Sequence, residues 1–300
     1  MVRTLTTLAP AKLNLALSVG PPNSDGMHPI CSWMVSVGLC DELTVTMLQP
    51  DRLSRYAILW HEEAKSTSDI DWSITKDLAV RAHLALQEHT KRQLPVQLKL
   101  EKRIPVGGGL GGGSSNAAAM LNAVNQLFEL DLSKDELIKI AANLGSDVPF
   151  FVSGGSAVVT GLGDQIDLHD QMPIINAVIV FPQIKCPTSS VYRAFDELSP
   201  SSLNSEAVSL AAKNNNSSIQ PDAIFNDLTQ AAIDTAPQLK EHMQQLSDLA
   251  QRKVHIAGSG SSLFILCDDE LHSQHLCDAI ETKLDLPAVA VQSCEMQNAN

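Results

Sequence analysis

Apolar and polar residues alternate with a period of two through much of the N-terminal half, the pattern of strands that bury one face. Residues 8–19 and 32–39 read as strands joined by the turn-forming run Gly20-Pro21-Pro22-Asn23-Ser24-Asp25-Gly26, and 42–48 alternates as a third. Val96, Leu98 and Leu100 oppose Gln97, Lys99 and Glu101 in a further strand with one wet face. Helical spacing marks 76–88 and 114–127. Ser133-Lys134-Asp135-Glu136 is a capping box that opens another helix with the apolar face Leu137, Ile140, Ala141 and Leu144, closed by Gly145.

Farther along, 157–159, 177–181, 254–257, 263–266 and 287–291 read as strands, and 189–198 and 270–283 as helices. The Ser/Asn-rich stretch 199–218 reads as a low-complexity surface loop. Helices and strands mix without regular strand–helix–strand repetition, which predicts an α+β protein of two domains, 1–165 and 166–300.

Between the strand at 96–101 and the helix at 114–127, six glycines fill seven positions: Gly107, Gly108, Gly109, Gly111, Gly112 and Gly113, with Leu110 among them and Pro105 and Val106 before them. Such a run breaks helices and strands, so it marks a loop whose backbone passes close to something bulky. Ser114, Ser115 and Asn116 follow, suited to capping free amides. A helix N-terminus carries unpaired N–H groups and roughly half a positive charge, so a side-chain-free loop entering it makes an anion cradle. Phosphate is the anion this favours; a flexible linker would lack the patterned strand and helix on either side.

Two familiar phosphate loops fit less well. A P-loop ends in Gly-Lys-Ser/Thr, and no Lys follows these glycines. Gly107, Gly109 and Gly112 have the dinucleotide-loop spacing, with Glu129 near the place of a ribose-binding acid. That loop follows a strand buried on both faces, however, whereas 96–101 alternates.

A chain of 300 residues, 44% hydrophobic and 18% charged, is ordinary for a globular enzyme. No apolar run approaches the roughly 18 residues of a membrane span, and the first ten residues are too short and polar for a signal peptide, so a cytoplasmic protein is expected. The net charge of −13 argues against nucleic-acid binding, which relies on Lys and Arg. Cys31, Cys40, Cys186, Cys267, Cys277 and Cys294 lack paired spacing and read as reduced thiols. Of His272, His275 and Cys277, only the two histidines share a helix face, which suits a solvated surface better than a metal site.

Five segments carry a resemblance: Pro10-Ala11-Lys12-Leu13-Asn14-Leu15, Asp25-Gly26-Met27-His28, the run from Pro105 through Asn116, Gly145-Ser146-Asp147-Val148-Pro149-Phe150-Phe151, and Gly258-Ser259-Gly260-Ser261-Ser262. Together they resemble the GHMP kinases, the superfamily of galactokinase, homoserine kinase and mevalonate kinase. Within it they look like the 4-diphosphocytidyl-2-C-methyl-D-erythritol kinase family, which phosphorylates a cytidine-diphosphate-linked sugar alcohol with ATP in the non-mevalonate isoprenoid pathway. The resemblance implies an α+β GHMP kinase fold, its N-terminal domain like domain 2 of ribosomal protein S5 and its C-terminal domain ferredoxin-like, with substrate between them.

By the same resemblance Lys12 and Asp147 are the catalytic pair, Asp147 orienting the acceptor hydroxyl and taking its proton beside the Lys12 charge. Taken alone, Asp147 reads as a helix cap and Lys12 as a solvated strand residue. ATP is implied along Pro105, Val106, Gly107, Gly108, Gly109, Leu110, Gly111, Gly112, Gly113, Ser114 and Ser115, with Mg²⁺ whose ligands stay unknown. Substrate contacts are implied at Asn14, His28, Thr188, Tyr192, Gly258, Ser259 and Gly260, with Tyr192 as the ring that stacks on cytosine. Lys99, Lys102 and Arg103 lie near enough in sequence to offset ATP's charge, although a wet strand face is the plainer reading.

Met27 stands where the family has Tyr, and Asp77 where it has an Asn near the adenine. These departures keep two alternatives open: a GHMP kinase for another small alcohol such as homoserine, a mevalonate-like alcohol or a sugar, and a non-catalytic nucleotide-binding regulator. The implied partner is a small molecule rather than nucleic acid or membrane, and the protein a monomer or homodimer.

Overall fold

The structure, a computed structural model, describes residues 3–198, 202–213, 219 and 223–295. Its framework is a long hairpin, β1 (Thr4–Val19) and β2 (Ile30–Met47), paired antiparallel along nearly their whole length. The strands expected at 32–39 and 42–48 are therefore one strand. Gly38 and Leu39 bulge out where the register moves from Ala11↔Val37 to Pro10↔Cys40, so β2 continues past its own polar break.

β4 (Val96–Lys102) pairs with β2 on one side and with β3 (Arg55–Trp60) on the other, and β5 (Ser156–Gly161) and β6 (Gln165–Leu168) extend from the other end of β2. β6 spans the expected division at 165 and pairs with β5. Against this sheet pack α1 (Leu78–Thr90), α2 (Gly112–Leu127), α3 (Lys134–Ala142) and α4 (Val148–Ser153). The capping box of α3 forms as expected, with Ser133 accepting from the Glu136 amide and Glu136 reaching back to Ser133. α4 starts directly after Asp147, and Pro149 sits in its first turn, where a helix tolerates a missing N–H.

A second sheet has the order β11 (Ala288–Gln292), β7 (Asn176–Val180), β10 (Leu263–Cys267), β9 (His255–Ile256). Leu13, Leu15, Trp33 and Val35 of the hairpin meet Ile179, Phe181 and Phe264 in one buried cluster, so the two sheets share a core. α5 (Thr188–Glu197), α7 (Thr229–Thr235), α8 (Gln238–Ala250) and α9 (Glu270–Leu284) accompany the second sheet. The two-residue β8 (Phe225–Asn226), just before α7 in the chain, pairs in parallel with β1 and so joins the first sheet.

The surface-loop reading of 199–218 is corrected by α6 (Ser205–Lys213). Val208, Ala211 and Ala212, at helical spacing within a polar stretch, bury against the hairpin. Residues 199–201 and 214–218 of that stretch lie outside the described residues. No helix among the described residues is long and apolar enough to cross a membrane.

Candidate functional site

Strand alternation puts Lys12 and Asn14 on the same face of β1, under the mouth of a cavity of about 1090 Å³ that both line. The Lys12 side chain is 4% exposed, and burying an ammonium is tolerable only with partners. Its Nζ donates to Asn14 Oδ1 at 2.5 Å and stands 3.7 Å from Asp147 Oδ2. Asn14 is held in turn, its Nδ2 donating to Ser32 Oγ at 2.8 Å and Ser32 donating to the Ala16 carbonyl. Asp147 precedes α4 at the capping position, yet its carboxylate makes no capping bond and lines the cavity. Neither the helix-cap reading nor the solvated-strand reading describes this pair.

The glycine loop forms a second wall. α2 begins at Gly112 with Gly111 in the left-handed region as its cap residue, and no side chain caps it. The expected Ser and Asn caps are absent because the glycines themselves form the first turn, which leaves its amides open toward the cavity that Gly111, Gly112, Gly113 and Ser114 line. The strand holds the loop in place: the Lys12 amide donates to the Leu110 carbonyl at 3.0 Å. A β-carbon on Gly109 would lie 1.9 Å from the Ala257 carbonyl oxygen, so the 258–262 turn is packed directly on the loop.

His28 and Tyr192 form the far end. Since a carbonyl only accepts, His28 Nδ1 donates to Gly20 O at 2.9 Å, and Nε2 is left 3.5 Å from Asp196 Oδ1. The His28 ring lies 4.9 Å from that of Tyr192, centroid to centroid. Burial, and then the Asp147 charge, push the Tyr192 phenol up to about 12, so it stays neutral. One turn before Tyr192 on α5, the Thr188 hydroxyl meets that of Ser259 at 2.9 Å.

Thus the cavity gathers Lys12, Asn14, His28, Asp147, Thr188, Tyr192, Gly258, Ser259 and the loop from Pro105 to Ser114. Ser115 and Gly260 stand outside its lining: Ser115 is fully buried, and Gly260 sits within the turn behind it. The remaining polar candidates have partners of their own. Lys102 is buried and paired with Asp41, Lys99 pairs with Glu101 on the strand surface, and Arg103 meets His61, so none is an unpaired cation for phosphate. Asp77 accepts from the Ala79 amide and caps α1, and it lines the same cavity. Glu129 pairs with Arg3 at the surface, far from any ribose role.

Two residues that support the site escaped sequence reasoning. Asp196 follows Tyr192 by one helical turn, a spacing that would have flagged it. Asn226, whose Nδ2 donates to the carbonyls of Ile256 and Gly258, gave no signal, because only β8 pairing with β1 brings it there.

Residues 77–155 match the model of the GHMP kinases N terminal domain. The 4-diphosphocytidyl-2-C-methyl-D-erythritol kinase of Corynebacterium efficiens is 34% identical over 286 residues, covering 92% of this chain and 89% of that protein. The enzyme of the same name from Desulfotalea psychrophila is 33% identical over 291 residues, with 95% and 94% covered. A crystal structure of 4-(cytidine 5'-diphospho)-2C-methyl-D-erythritol kinase superposes with a TM-score of 0.75 at 31% identity, covering 98% of this chain and all of the other. Homoserine kinase from Cytophaga hutchinsonii, 17% identical with a TM-score of 0.70 over 99% of this chain and 96% of that one, shares the fold. By descent as well as by architecture, the chain belongs to the 4-diphosphocytidyl-2-C-methyl-D-erythritol kinase family of GHMP kinases.

Proposed function

We propose that this chain transfers the γ-phosphoryl group of ATP to the 2-hydroxyl of 4-diphosphocytidyl-2-C-methyl-D-erythritol, releasing ADP and the 2-phosphate. The observation that carries this reading is the Lys12–Asp147 pair, 3.7 Å apart in a cavity walled by the open N-terminus of α2 and by His28 and Tyr192. Phosphoryl transfer asks for positioning and for charge neutralisation around an in-line displacement. Asp147 orients the acceptor hydroxyl and takes its proton, and Lys12 favours both the ionised carboxylate and the developing alkoxide. The amides of the glycine loop hold the triphosphate.

Hard oxygens line the same wall, the Ser114 hydroxyl and the Asp147 carboxylate, and these suit Mg²⁺, which neutralises phosphate charge when it enters with ATP. Cytosine is taken at the His28 end, where Tyr192 gives a stacking face and Met27, 51% exposed, can cover the other. The reading is completed by a cytoplasmic monomer or homodimer; the acidic balance of the chain supports the absence of nucleic-acid partners.

Purified protein supplied with ATP, Mg²⁺ and the cytidine-linked alcohol should release ADP, and CMP-containing compounds should compete. Absence of ADP above background at any enzyme level retires the kinase. ADP release that is indifferent to CMP compounds, with turnover of homoserine or mevalonate instead, moves the acceptor and keeps the chemistry.

A further inference from the structure

Asp41 lies on β2, has no exposed surface, and takes no part in the pairing of Lys12 with Asp147. Four donors meet its carboxylate. Oδ1 accepts from the Arg103 amide at 2.6 Å and the Ile104 amide at 2.8 Å, just before Pro105. Oδ2 accepts from the Lys102 ammonium at 2.5 Å and from Asn116 Nδ2 at 2.8 Å, just past Ser115. One carboxylate therefore holds both ends of the segment 105–115, the glycine loop and the first turn of α2, the entry through main-chain amides and the exit through a side chain of α2.

We infer that Asp41 is a positioning residue for phosphoryl transfer: a buried clamp that fixes the span of the glycine loop so that its amides stand ready for the triphosphate. This rests on the kinase reading given above. A loop with this many glycines has more backbone freedom to lose than any other kind of segment, so its ends must be fixed by something outside it. A carboxylate suits that purpose because its two oxygens accept several bonds at once and charge assistance strengthens each. Lys102 balances the buried charge, and since a carboxylate only accepts, the Asn116 amide must present its nitrogen to Asp41. Asn116 Oδ1 is consequently turned away and has no hydrogen-bond partner.

The test is Asp41→Asn, which keeps the shape and sets an amide nitrogen against donors. Hydrogen exchange in the nucleotide-free protein should quicken by about tenfold or more across 105–115 while the second sheet is unchanged. KM for ATP should rise about tenfold or more, with KM for the alcohol within about twofold and Asp41→Glu recovering part of the loss. Where Asp41→Asn does not fold, Asn116→Ala releases only the exit, and exchange should quicken at 111–115 and not at β4. Unchanged loop exchange in whichever variant folds, or a fall in stability with both KM values unmoved, overturns the clamp. Because exchange is read without nucleotide or alcohol, the clamp and the kinase reading can fail separately.

Discussion

The Lys12 ammonium and the Asp147 carboxylate face each other across 3.7 Å from elements that are 135 positions apart in the chain, one on the central hairpin and the other at the start of α4. Neither belongs to the glycine loop, yet both line its cavity. If Asp147 takes the acceptor proton, Asp147→Asn lowers kcat by about 10² to 10⁴ while ATP still binds, since a general base contributes on that order. Turnover measured alongside nucleotide binding decides this, and an unchanged kcat removes Asp147 from the chemistry.

Lys12→Met keeps the length of the side chain and deletes its charge. Its effect on turnover is expected at about 10² to 10³, the size of losing one positioned donor to a developing negative charge. The companion measurement is urea unfolding of the same variant beside the parent chain. A loss of turnover that only follows a loss of folded protein places Lys12 in folding alone.

Two glycines of one loop should behave differently. Gly107 and Gly109 both have φ in the left-handed region, +72° and +77°, but a β-carbon meets nothing within 4 Å at Gly107 and the Ala257 carbonyl oxygen at 1.9 Å at Gly109. Gly107→Ala should cost only the backbone term of about 1–2 kcal/mol. Gly109→Ala must push the loop off the 258–262 turn, so its KM for ATP should rise far more than that of Gly107→Ala. Equal effects in the two variants would refute the packing argument.

Tyr192→Phe should be nearly silent in KM for the cytidine substrate, because stacking needs the ring and the phenol does not ionise below about pH 12. Tyr192→Ala should raise that KM by about tenfold, the scale of one base stacked on an aromatic ring. A large effect of Tyr192→Phe would show that the hydroxyl, rather than the ring face, makes the contact.

Burial, and secondarily Lys253, lower the His255 imidazole to about 4, where it stacks on Phe264 as the neutral form. An unfolded His takes its proton near 6.5, so between these values the unfolded chain carries the extra proton. The stability contribution is whole above about pH 6.5 and is lost as the pH falls toward 4, on the order of 3 kcal/mol in all. His83, buried on α1, is lowered in the same direction. Urea unfolding at pH 7.5 and 4.5 checks this: His255→Gln should lose less stability on acidification than the parent chain, and equal losses would count against it.

Whatever depends on neighbours along the chain was legible before folding. Glycine density and the patterned segments around it marked an anion loop before a helix, the capping box placed α3 where Ser133 and Glu136 said, and alternation found most of the hairpin. Folding decided what depends on residues far apart. Asp41 reads as a polar break in β2 until β4 and α2 bring it four donors, Lys102 reads as a surface cation until Asp41 takes its charge, and α6 is hidden until the hairpin gives Val208 and Ala212 something to bury against. Periodicity reports which face of a segment is apolar; it holds no record of which charge will find which partner, because that pairing exists only once the low-dielectric interior has closed around it.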